Sequence, residues 1–397
     1  MGMAGSSTAP VLVALHRVGP YHHARFESTS EALEQPLVVL ETRPDSQEYP
    51  WICEFGSISY QLIHLYGSLD PEQDPPLASV RQQLKTIINQ WSPAVIVTVG
   101  WADSVYLELL RLGQEQDIPL IVISDSRRID MPRIFWKEWV KSLLLQGYSA
   151  AVVAGSQSRQ YLVELGFQPS AIFQPWDVVD NQKFLQIAAQ THHESAAARP
   201  FLCVARLIPE KNHALLLQAY GAYQDEGGCR PLVLVGDGPL HHEIQGSIAN
   251  LSDPSQVTIQ PFEQLHSLAA RYANAHALLL PSRKDTWGLV VNEAMAAGLP
   301  VIVSSACGCS VDLICDGISG WRFETESSES LLSCLRAADQ QPPEARQRMI
   351  QAARKRLSDF SPDSFSCGLG QACEYAVASK ARSRLSQVLA GWLANKP

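Results

Sequence analysis

Two carboxylates and a glycine share one short stretch of this chain, between an apolar strand end and the next predicted strand. Asp285 lies in a predicted loop, Gly288 opens a predicted helix, and Glu293 lies inside that helix, eight residues after Asp285. The first amides of a helix are unpaired and carry partial positive charge, which favours a phosphate. Carboxylates accept hydrogen bonds from hydroxyls. The stretch therefore predicts a site for a phosphorylated, hydroxyl-rich ligand such as a sugar nucleotide.

A pair of cations forms the second candidate group. Arg206 and Lys211 follow a predicted strand and lie five residues apart. A nucleoside diphosphate leaving group gains negative charge as a glycosidic bond breaks, and two cations would stabilise that charge, most strongly where water is excluded. Two solvated charges on a surface loop are the alternative interpretation. Further along, Gly236 and Asp237 close another predicted strand, where glycine lets the backbone approach a ligand closely.

These motifs resemble the donor site of retaining GT-B glycosyltransferases of family 4 (glycosyl transferases group 1). In that family two acidic residues flank seven others, as Asp285 and Glu293 do within Pro281–Ser305. The resemblance extends to Phe201–Asn212, Val235–Leu240 and Trp176–Asp180, in the family's usual order and spacing. It covers the C-terminal half densely and the N-terminal half only loosely.

The resemblance implies specific roles in binding a nucleotide-sugar donor. Arg206 and Lys211 would contact the donor diphosphate, and Glu293 would accept hydrogen bonds from the ribose hydroxyls. Asp285 stands where the family usually has Glu, and would contact the donor sugar with a shorter reach. Together Asp285, Arg206 and Lys211 form the predicted catalytic set. The predicted donor-binding set is Gly19, Gly236, Asp237, Trp287, Gly288, Leu289, Val290 and Glu293. Alternatively, Asp285 or Thr286 simply caps the helix, a role that both side chains perform well.

The N-terminal half departs from the family in two places. The loop Gly19–Arg25 keeps one glycine where many relatives have two, and no histidine occurs between His64 and His192, although many relatives have one near the donor sugar. Active sites of open α/β sheets lie at the carboxyl ends of strands. The acceptor-side candidates are therefore His22, His23, Trp101 and Asp125, with Ser126 as a further alternative to the missing histidine.

Chain length and apolar patterning predict two α/β domains. The 397 residues are too many for one compact core, and 46% hydrophobic with 18% charged residues indicates a globular chain. Apolar runs alternate with helical patterns in two series, as expected for doubly wound parallel sheets. We expect a GT-B architecture of two Rossmann-like domains facing a cleft. Residues 1–180 would hold the acceptor, residues 181–360 the donor, and a helical tail, 361–397, would return to the first domain.

Charge, cysteines and the N-terminus narrow the function classes. The net charge of −9 disfavours nonspecific binding to nucleic acid. The nine cysteines include no C-x-x-C pair, so packing thiols in a reducing cytoplasm are expected rather than a zinc site. The start, Met1–Ser6, lacks the basic region of a secretory signal and matches only a loose myristoylation pattern, so a flexible leader is expected. The low complexity of residues 181–200 predicts a surface segment that connects the two domains.

The segment 127–141 is basic and rich in aromatic residues, and it has two interpretations. Five basic residues stand against two acidic ones, with Phe135, Trp136 and Trp139 among the apolar members. The preferred interpretation is a helix that packs its aromatics on the core and points its charges at the cleft. In the alternative, the helix lies on an anionic membrane, which would suit a lipid-linked acceptor.

The expected activity is metal-independent transfer of a hexosyl unit, with retention, from a nucleotide sugar to a hydroxyl of a sugar, lipid-linked or small-molecule acceptor. No D-x-D triplet occurs, and Arg206 with Lys211 would stabilise the leaving group instead, so no metal and no cofactor are expected. Two other functions stay open: a catalytically idle sugar-nucleotide-binding protein of the same fold and, less favoured, a sugar-nucleotide 2-epimerase.

Overall fold

The structure contains two parallel sheets, one in each of two compact units. The computed structural model describes residues 9–43, 51, 55–65, 76–191, 195 and 199–395. The first unit comprises residues 1–178 and 362–397, and the second comprises residues 179–361. Met1–Ser6, Cys53 and residues 192–194 and 196–198 of the predicted connection 181–200 lie outside the described residues. The first half of that connection, Asn181–Gln190, is a helix that buries Phe184, so it is not merely a surface connection.

The first sheet has seven strands in the order β3-β2-β1-β4-β5-β6-β7, and the second has six in the order β10-β9-β8-β11-β12-β13. The first-unit strands are β1 Val11–Leu15, β2 Leu37–Glu41, β3 Gln61–His64, β4 Val95–Val99, β5 Leu120–Ser124, β6 Ala150–Val153 and β7 Ile172–Phe173. The second-unit strands are β8 Phe201–Val204, β9 Leu232–Val235, β10 Val257–Gln260, β11 Ala277–Leu280, β12 Val301–Ser304 and β13 Trp321–Phe323. Neighbouring strands pair in parallel, with Val11 opposite both Leu37 and Val95. The two doubly wound parallel sheets predicted from the apolar runs are confirmed.

Helices connect these strands, as parallel pairing requires. In chain order they are α1 Pro20–Ala32, α2 Leu77–Trp91, α3 Ser104–Glu115, α4 Phe135–Leu145, α5 Ser156–Glu164, α6 Asn181–Gln190, α7 His213–Asp225, α8 His241–Ile248, α9 Leu265–Ala273, α10 Leu289–Ala297, α11 Cys309–Asp312, α12 Ser328–Asp339, α13 Pro343–Leu357, α14 Pro362–Ala378 and α15 Arg384–Ala394. No helix in the described part of the chain combines the length and apolar character needed to cross a bilayer.

Each unit buries its own apolar core. In the first unit, Leu12, Val38 and Ile96 of neighbouring strands pack with helix residues such as Leu84 and Leu109. In the second, the core again joins strand residues to helix residues, with Phe201, Leu234 and Ile302 against Leu216 and Leu335. Continuous burial along β1, β5 and β6 explains the uninterrupted apolar runs of the sequence.

The tail of the chain forms the last two helices of the first unit. Helix α14 packs against α1, where Ser28 Oγ donates to Asp363 Oδ1 at 2.8 Å. After a break at residues 379–383, α15 packs against α3 and α4. The hydroxyl of Ser386 donates to the carbonyl of Leu144 at 2.8 Å, so α15 begins beside the end of α4.

Helix α4 leaves its aromatic residues in solvent. Phe135 is 87% exposed, Trp136 59% and Trp139 57%, whereas only the end of the helix, at Leu144 and Leu145, is buried. The preferred interpretation of segment 127–141, in which its aromatics pack on the core, is therefore wrong for these three residues. The helix is amphipathic as expected, but its large apolar side chains lie on the outer side.

Candidate functional site

Lys211 and Asp285 meet in the second unit, although 74 residues separate them. Lys211 ends a 3-10 turn after β8, and Asp285 follows β11, the neighbouring strand. Lys211 Nζ donates to Asp285 Oδ2 at 2.6 Å, and the hydroxyl of Ser282 donates to the same oxygen at 3.4 Å. The two side chains are only 18% and 14% exposed. The pair thus lies near the carboxyl ends of adjacent parallel strands, where open α/β sheets bind ligands.

Asp285 does not cap helix α10. Gly288 is the N-cap residue, in the left-handed region at φ 101°, and no side chain caps the helix there. This positive φ favours glycine, whereas a Cβ on Gly288 would meet only the flexible end of the Leu280 side chain, 2.9 Å away. The capping interpretation of Asp285 and Thr286 is therefore wrong. Leu289 and Val290 are the first two residues of the helix, and both are half-buried. Their backbone amides have no hydrogen-bond acceptor within the helix, as is usual for the first turn.

Glu293 is buried in the middle of α10, and a neighbouring helix satisfies one of its oxygens. It is 1% exposed, and the phenol of Tyr272, from α9, donates to Glu293 Oε2 at 2.7 Å. A buried carboxylate needs such a donor, because leaving it unpaired costs several kcal/mol. The predicted donor-binding residue Trp287 is buried too: its indole N–H donates to Asn292 Oδ1 at 2.9 Å, and its ring packs on Phe360.

Gly236 and Gly238 hold two loop ends in contact. A Cβ on Gly236 would lie 2.1 Å from the carbonyl oxygen of Ala205, and one on Gly238 would lie 2.4 Å from that of Leu207. Asp237 links the same loops: its carbonyl accepts from the Leu207 amide at 2.8 Å, and its carboxylate from the Phe262 amide at 2.9 Å. Arg206, whose side chain is exposed, stands between Ala205 and Leu207, the two residues that make these contacts. The structure thus places Arg206 beside the glycine loop predicted to wall the nucleotide pocket.

Gly308 is a residue that the sequence analysis missed. Its amide donates to the carbonyl of Asp285 at 3.0 Å, and the next amide, of Cys309, donates to that of Trp287, also at 3.0 Å. A Cβ on Gly308 would lie 1.9 Å from the Thr286 carbonyl oxygen, so no larger residue fits. Gly308 therefore lets the backbone after β12 hold the loop that carries Asp285. The one signal in the sequence was a glycine between two cysteines directly after a strand; both cysteines are buried, as packing thiols are.

The first unit has a cavity of about 360 Å³ at the carboxyl ends of β1, β4 and β5. From β1 the sheet extends through β2 on one side and β4 on the other, so the β1/β4 boundary is the topological switch point, the usual ligand site of such sheets. The cavity is lined by His16, Val99–Asp103, Tyr106, Ile123–Ser126, Asp130, Met131, Arg133, Lys141 and Trp176. Two of the four acceptor-side candidates, Trp101 and Asp125, are in this lining.

His16 and Asp103 form a hydrogen-bonded pair in that lining, and neither was among the predicted site residues. His16 directly follows β1; its Nε2 lies 3.3 Å from Asp103 Oδ2, and its ring stacks on Tyr106. Burial alone would raise the pKa of Asp103, but hydrogen bonds from His16 and the Val105 amide outweigh burial and lower it, so the carboxylate is ionised. A histidine therefore does lie at this edge of the sheet, but it follows β1 and not β4 or β5, after which the predicted alternatives Trp101, Asp125 and Ser126 lie. The sequence feature that could have indicated it is a histidine directly after a predicted strand.

His22 and His23, the two adjacent histidines after β1, form hydrogen bonds with residues that do not line the cavity. His22 Nδ1 accepts from the amide of Gly19 at 3.1 Å, and its ring packs near Trp176. Burial of the ring, and then the charge of Arg25, lower the pKa of His22 to about 3, so it is neutral at pH 7. His23 Nδ1 lies 3.1 Å from the hydroxyl of Tyr60, away from the residues that line the cavity.

Within the described residues, no three side chains of His, Cys, Asp or Glu cluster as they would around a metal ion. Of the predicted catalytic residues, the structure joins Lys211 to Asp285, while Arg206 is exposed beside the glycine loop; the amides of Leu289 and Val290 are the other candidate binding groups of the second unit. This set can hold an anion and hydroxyls at adjacent positions.

Comparison with known proteins shows a match between the second unit and a family model. Residues 190–356 match the family model of glycosyl transferases group 1. The amylovoran biosynthesis glycosyltransferase AmsK of Erwinia amylovora is 29% identical over 140 residues, which cover 34% of this chain and 34% of AmsK. The chain spans about a third or less of the length of the curated relatives that it matches. The resemblance to glycosyl transferases group 1 that the sequence motifs indicated is confirmed for these residues.

Solved structures share the fold over almost the whole chain. A glycosyltransferase from Rickettsia africae superposes with a TM-score of 0.70 at 15% identity, covering 92% of this chain and 98% of that one. HepE of Anabaena in complex with UDP gives 0.69 at 14% identity, covering 91% and 98%, and was also solved in complex with UDP-glucose. This likeness confirms the GT-B fold.

Proposed function

We propose, from the membership of residues 190–356 in the glycosyl transferases group 1 family, that this protein is a retaining glycosyltransferase. It moves a hexosyl unit from a nucleotide-sugar donor to a hydroxyl of a sugar, lipid-linked or small-molecule acceptor. One observation carries the proposal: Lys211 donates to Asp285, and Asp285 lies in the loop that leads into the N-terminus of α10. A cation and a carboxylate are thus in contact next to a helix N-terminus in the chain, a combination that suits a sugar attached to a phosphate.

The donor is proposed to bind to the second unit. The amides of Leu289 and Val290, with Arg206 and Lys211, hold the diphosphate, and Asp285 accepts from hydroxyls of the transferred sugar. Glu293 accepts from the ribose, with Tyr272 fixing the position of its carboxylate. The solved HepE complexes with UDP and UDP-glucose support this class of ligand for the shared fold.

Catalysis is proposed to follow front-face substitution. The bond between the anomeric carbon and the diphosphate oxygen breaks as the acceptor oxygen bonds to the same face of that carbon. The acceptor hydroxyl gives its proton to the departing phosphate oxygen, so the charges balance and configuration is retained. Arg206, Lys211 and the α10 amides stabilise the negative charge that develops on the leaving group. Such fixed charges and dipoles, aimed at developing charge where water is excluded, lower the barrier more than other devices usually do.

The acceptor is proposed to bind in the cavity of the first unit. Trp101 offers an aromatic wall, and Asp125 and the His16–Asp103 pair offer groups that bind hydroxyls. The reaction is proposed to need no metal, because the chain has no D-x-D triplet and two cations serve the leaving group.

A thermal-shift panel of UDP-, GDP- and ADP-sugars tests the donor site. One of them at 100 times its Kd adds about 2.7 kcal/mol of stability to the wild type. Lys211→Gln should lose that shift, whereas Lys355→Gln, an exposed lysine of α13 in the same unit, should keep it. If no nucleotide sugar or nucleoside diphosphate raises the unfolding temperature of the wild type, the proposed donor site is refuted.

Slow hydrolysis of the bound donor distinguishes a transferase from an idle binding protein. A transferase passes the sugar to water at a low rate, so free sugar and nucleoside diphosphate should accumulate together. The liberated sugar should first carry the donor's anomeric configuration, as NMR of the fresh product would show. Binding without any hydrolysis or transfer would leave the idle protein as the better function.

A further inference from the structure

Exposed apolar side chains are concentrated at two places in the first unit. Thirteen large hydrophobic residues are exposed in the described part of the chain, and nine of them lie in or next to α4 or in α15. These nine are Ile129, Met131, Ile134, Phe135, Trp136, Trp139, Leu385, Val388 and Trp392. Since scattered exposed hydrophobics are ordinary, the informative feature is their concentration on two helices that touch.

The exposed face of α15 is apolar because the opposite face is already packed. Ala390 and Ala394 are buried, while Leu385, Val388 and Trp392 are exposed at 54%, 69% and 57%. Leucine, valine and tryptophan at such positions add nothing to the core of the unit. We call the exposed residues of segment 128–141 and of α15 the α4–α15 surface.

The charge of this surface is opposite to that of the chain. The exposed charged residues of this surface are Arg128, Lys137 and Arg384, and Arg128 pairs with the carboxylate of Glu164. Three positive charges and one acidic partner leave +2, on a chain whose net charge is −9. A positive, aromatic surface on an acidic protein attracts an anionic apolar partner and orients the protein towards it.

We propose that the α4–α15 surface docks on a membrane that contains anionic lipid. Phe135, Trp136 and Trp139 would enter the boundary between head groups and acyl chains, where Trp is favoured. Lys137, whose ammonium lies 5.6 Å from the Trp136 ring centre, would remain at the head groups, as long basic side chains do at interfaces. A second copy of this chain fits less well, because a two-fold contact would bring two positive surfaces together.

This docking extends the proposed function without depending on it. Met131, Arg133 and Lys141 belong both to segment 128–141 and to the lining of the 360 Å³ cavity. The cavity therefore borders the α4–α15 surface. If the cavity takes the acceptor, as proposed above, a lipid-linked acceptor would reach it from the membrane without leaving the bilayer.

Vesicle flotation of the full chain tests the proposal. The wild type should float with vesicles of 30% phosphatidylglycerol in phosphatidylcholine at low salt, stay behind with phosphatidylcholine alone, and be released at high salt. Lys137→Gln should weaken partitioning about fivefold. Trp139→Ser should weaken it about tenfold or more. Equal flotation with neutral and anionic vesicles, or none with either, would overturn the proposal.

Matched variants separate docking from folding and from self-association. Two control variants change exposed residues of the second unit. Ile318→Ser removes an apolar side chain that is 59% exposed, similar to Trp139, and Lys355→Gln removes an exposed lysine. Both variants should float with vesicles as the wild type does. Circular dichroism should be the same for all four variants. If light scattering shows a lipid-free dimer that Trp139→Ser dissociates, the surface is a self-association face and the proposal is wrong. Because vesicle binding needs no donor, this result does not depend on the proposed transfer reaction.

Discussion

Lys211 Nζ lies 2.6 Å from Asp285 Oδ2, so the cation predicted to hold the donor's diphosphate and the carboxylate predicted to hold its sugar bind each other. Both are largely shielded from water. An anionic donor would approach Lys211 and compete with Asp285 for it, which would release carboxylate lone pairs for sugar hydroxyls. The pair therefore keeps both side chains in place before the ligand arrives, and removing one partner disturbs the other.

The pair should show measurable coupling in stability. Lys211→Ala and Asp285→Ala should each destabilise the second unit, and the double variant should lose less than the sum. We expect a coupling energy of about 1 kcal/mol or more, above that of exposed ion pairs, because the side chains are partly buried. Urea unfolding of the four proteins gives this energy. Simple additivity would mean that the ion pair contributes nothing.

Asp285 and Glu293 should fail differently in catalysis. Asp285→Asn should lower kcat and kcat/KM together, by about ten- to a hundredfold, with little change in affinity for free nucleoside diphosphate. Glu293→Gln should raise the donor KM more than it lowers kcat, since a ribose contact is made in ground and transition states alike. Tyr272→Phe removes the hydroxyl that donates a hydrogen bond to Glu293. It should also raise the KM for the nucleotide sugar, but by less than Glu293→Gln does. Full activity of Asp285→Asn would remove Asp285 from the site.

His16 should affect acceptor use rather than donor binding. His16→Gln loses the ring that bonds Asp103 and stacks on Tyr106 in the cavity. We expect a higher acceptor KM or lower kcat, with donor-induced thermal shifts unchanged. His64→Gln is the matched control, because His64 is also half-exposed, at 47%, and also pairs with a carboxylate at a strand end. Equal behaviour of the two variants would contradict a role for His16.

Transfer should not require a divalent metal. Donor hydrolysis and transfer should continue in excess EDTA at the rate seen with added Mg²⁺ or Mn²⁺, because Arg206 and Lys211 serve the leaving group. The charge-removing variant Lys211→Gln should lose activity in both conditions. Activity that stops in EDTA and returns with Mn²⁺ would count decisively against this mechanism.

Acid should destabilise the second unit through two buried histidines. Burial, and then the charge of Lys211, lower the pKa of His213 to about 4, and burial lowers that of His276 to about 4. Between pH 6.5 and 4 the unfolded chain binds protons that the folded one does not, so stability falls as pH falls through this range. Each histidine should account for about 2 kcal/mol at pH 5 relative to pH 8. Urea unfolding at both pH values measures this.

His213→Leu is the variant that isolates the contribution of one histidine. Its imidazole Nδ1 is buried without a hydrogen-bond partner in the structure, so the substitution removes the titrating group without breaking a bond at that atom. The loss of stability from pH 8 to pH 5 should shrink by about 2 kcal/mol. His242→Leu, at an exposed position of α8, should leave the loss unchanged. An unchanged loss in His213→Leu would refute the assignment.

Sequence patterns predicted the parts of the fold that depend on burial alone. Ten short apolar runs coincide with strands β1, β2, β4, β5, β6 and β8 to β12, because strands covered on both faces are largely apolar. Strands β3, β7 and β13 were missed: β3 is half-exposed, and β7 and β13 have only two and three residues. Such short or exposed strands are defined by pairing with a neighbour, which leaves no periodic signal in the sequence.

Contacts between distant segments lay beyond the sequence. The pairing of Lys211 with Asp285, and of Tyr272 with Glu293, depends on which strands and helices become neighbours. The exposure of Trp136 and Trp139 reversed the expected packing because the same amphipathic pattern fits a helix that faces either a core or an external apolar phase.

The first unit is interrupted in the chain, and this has a consequence for biosynthesis. Its sheet is complete at Phe173, yet α14 and α15, which cover that sheet and α3, are made last, after the whole second unit. On the ribosome the first unit must therefore wait, with the faces beneath α14 and α15 uncovered, while about 180 residues are translated. The second unit, being continuous, can fold as soon as it emerges. A chain that ends at Ser361 and is released from the ribosome should thus contain a protease-resistant second unit and a first unit that is still readily cleaved.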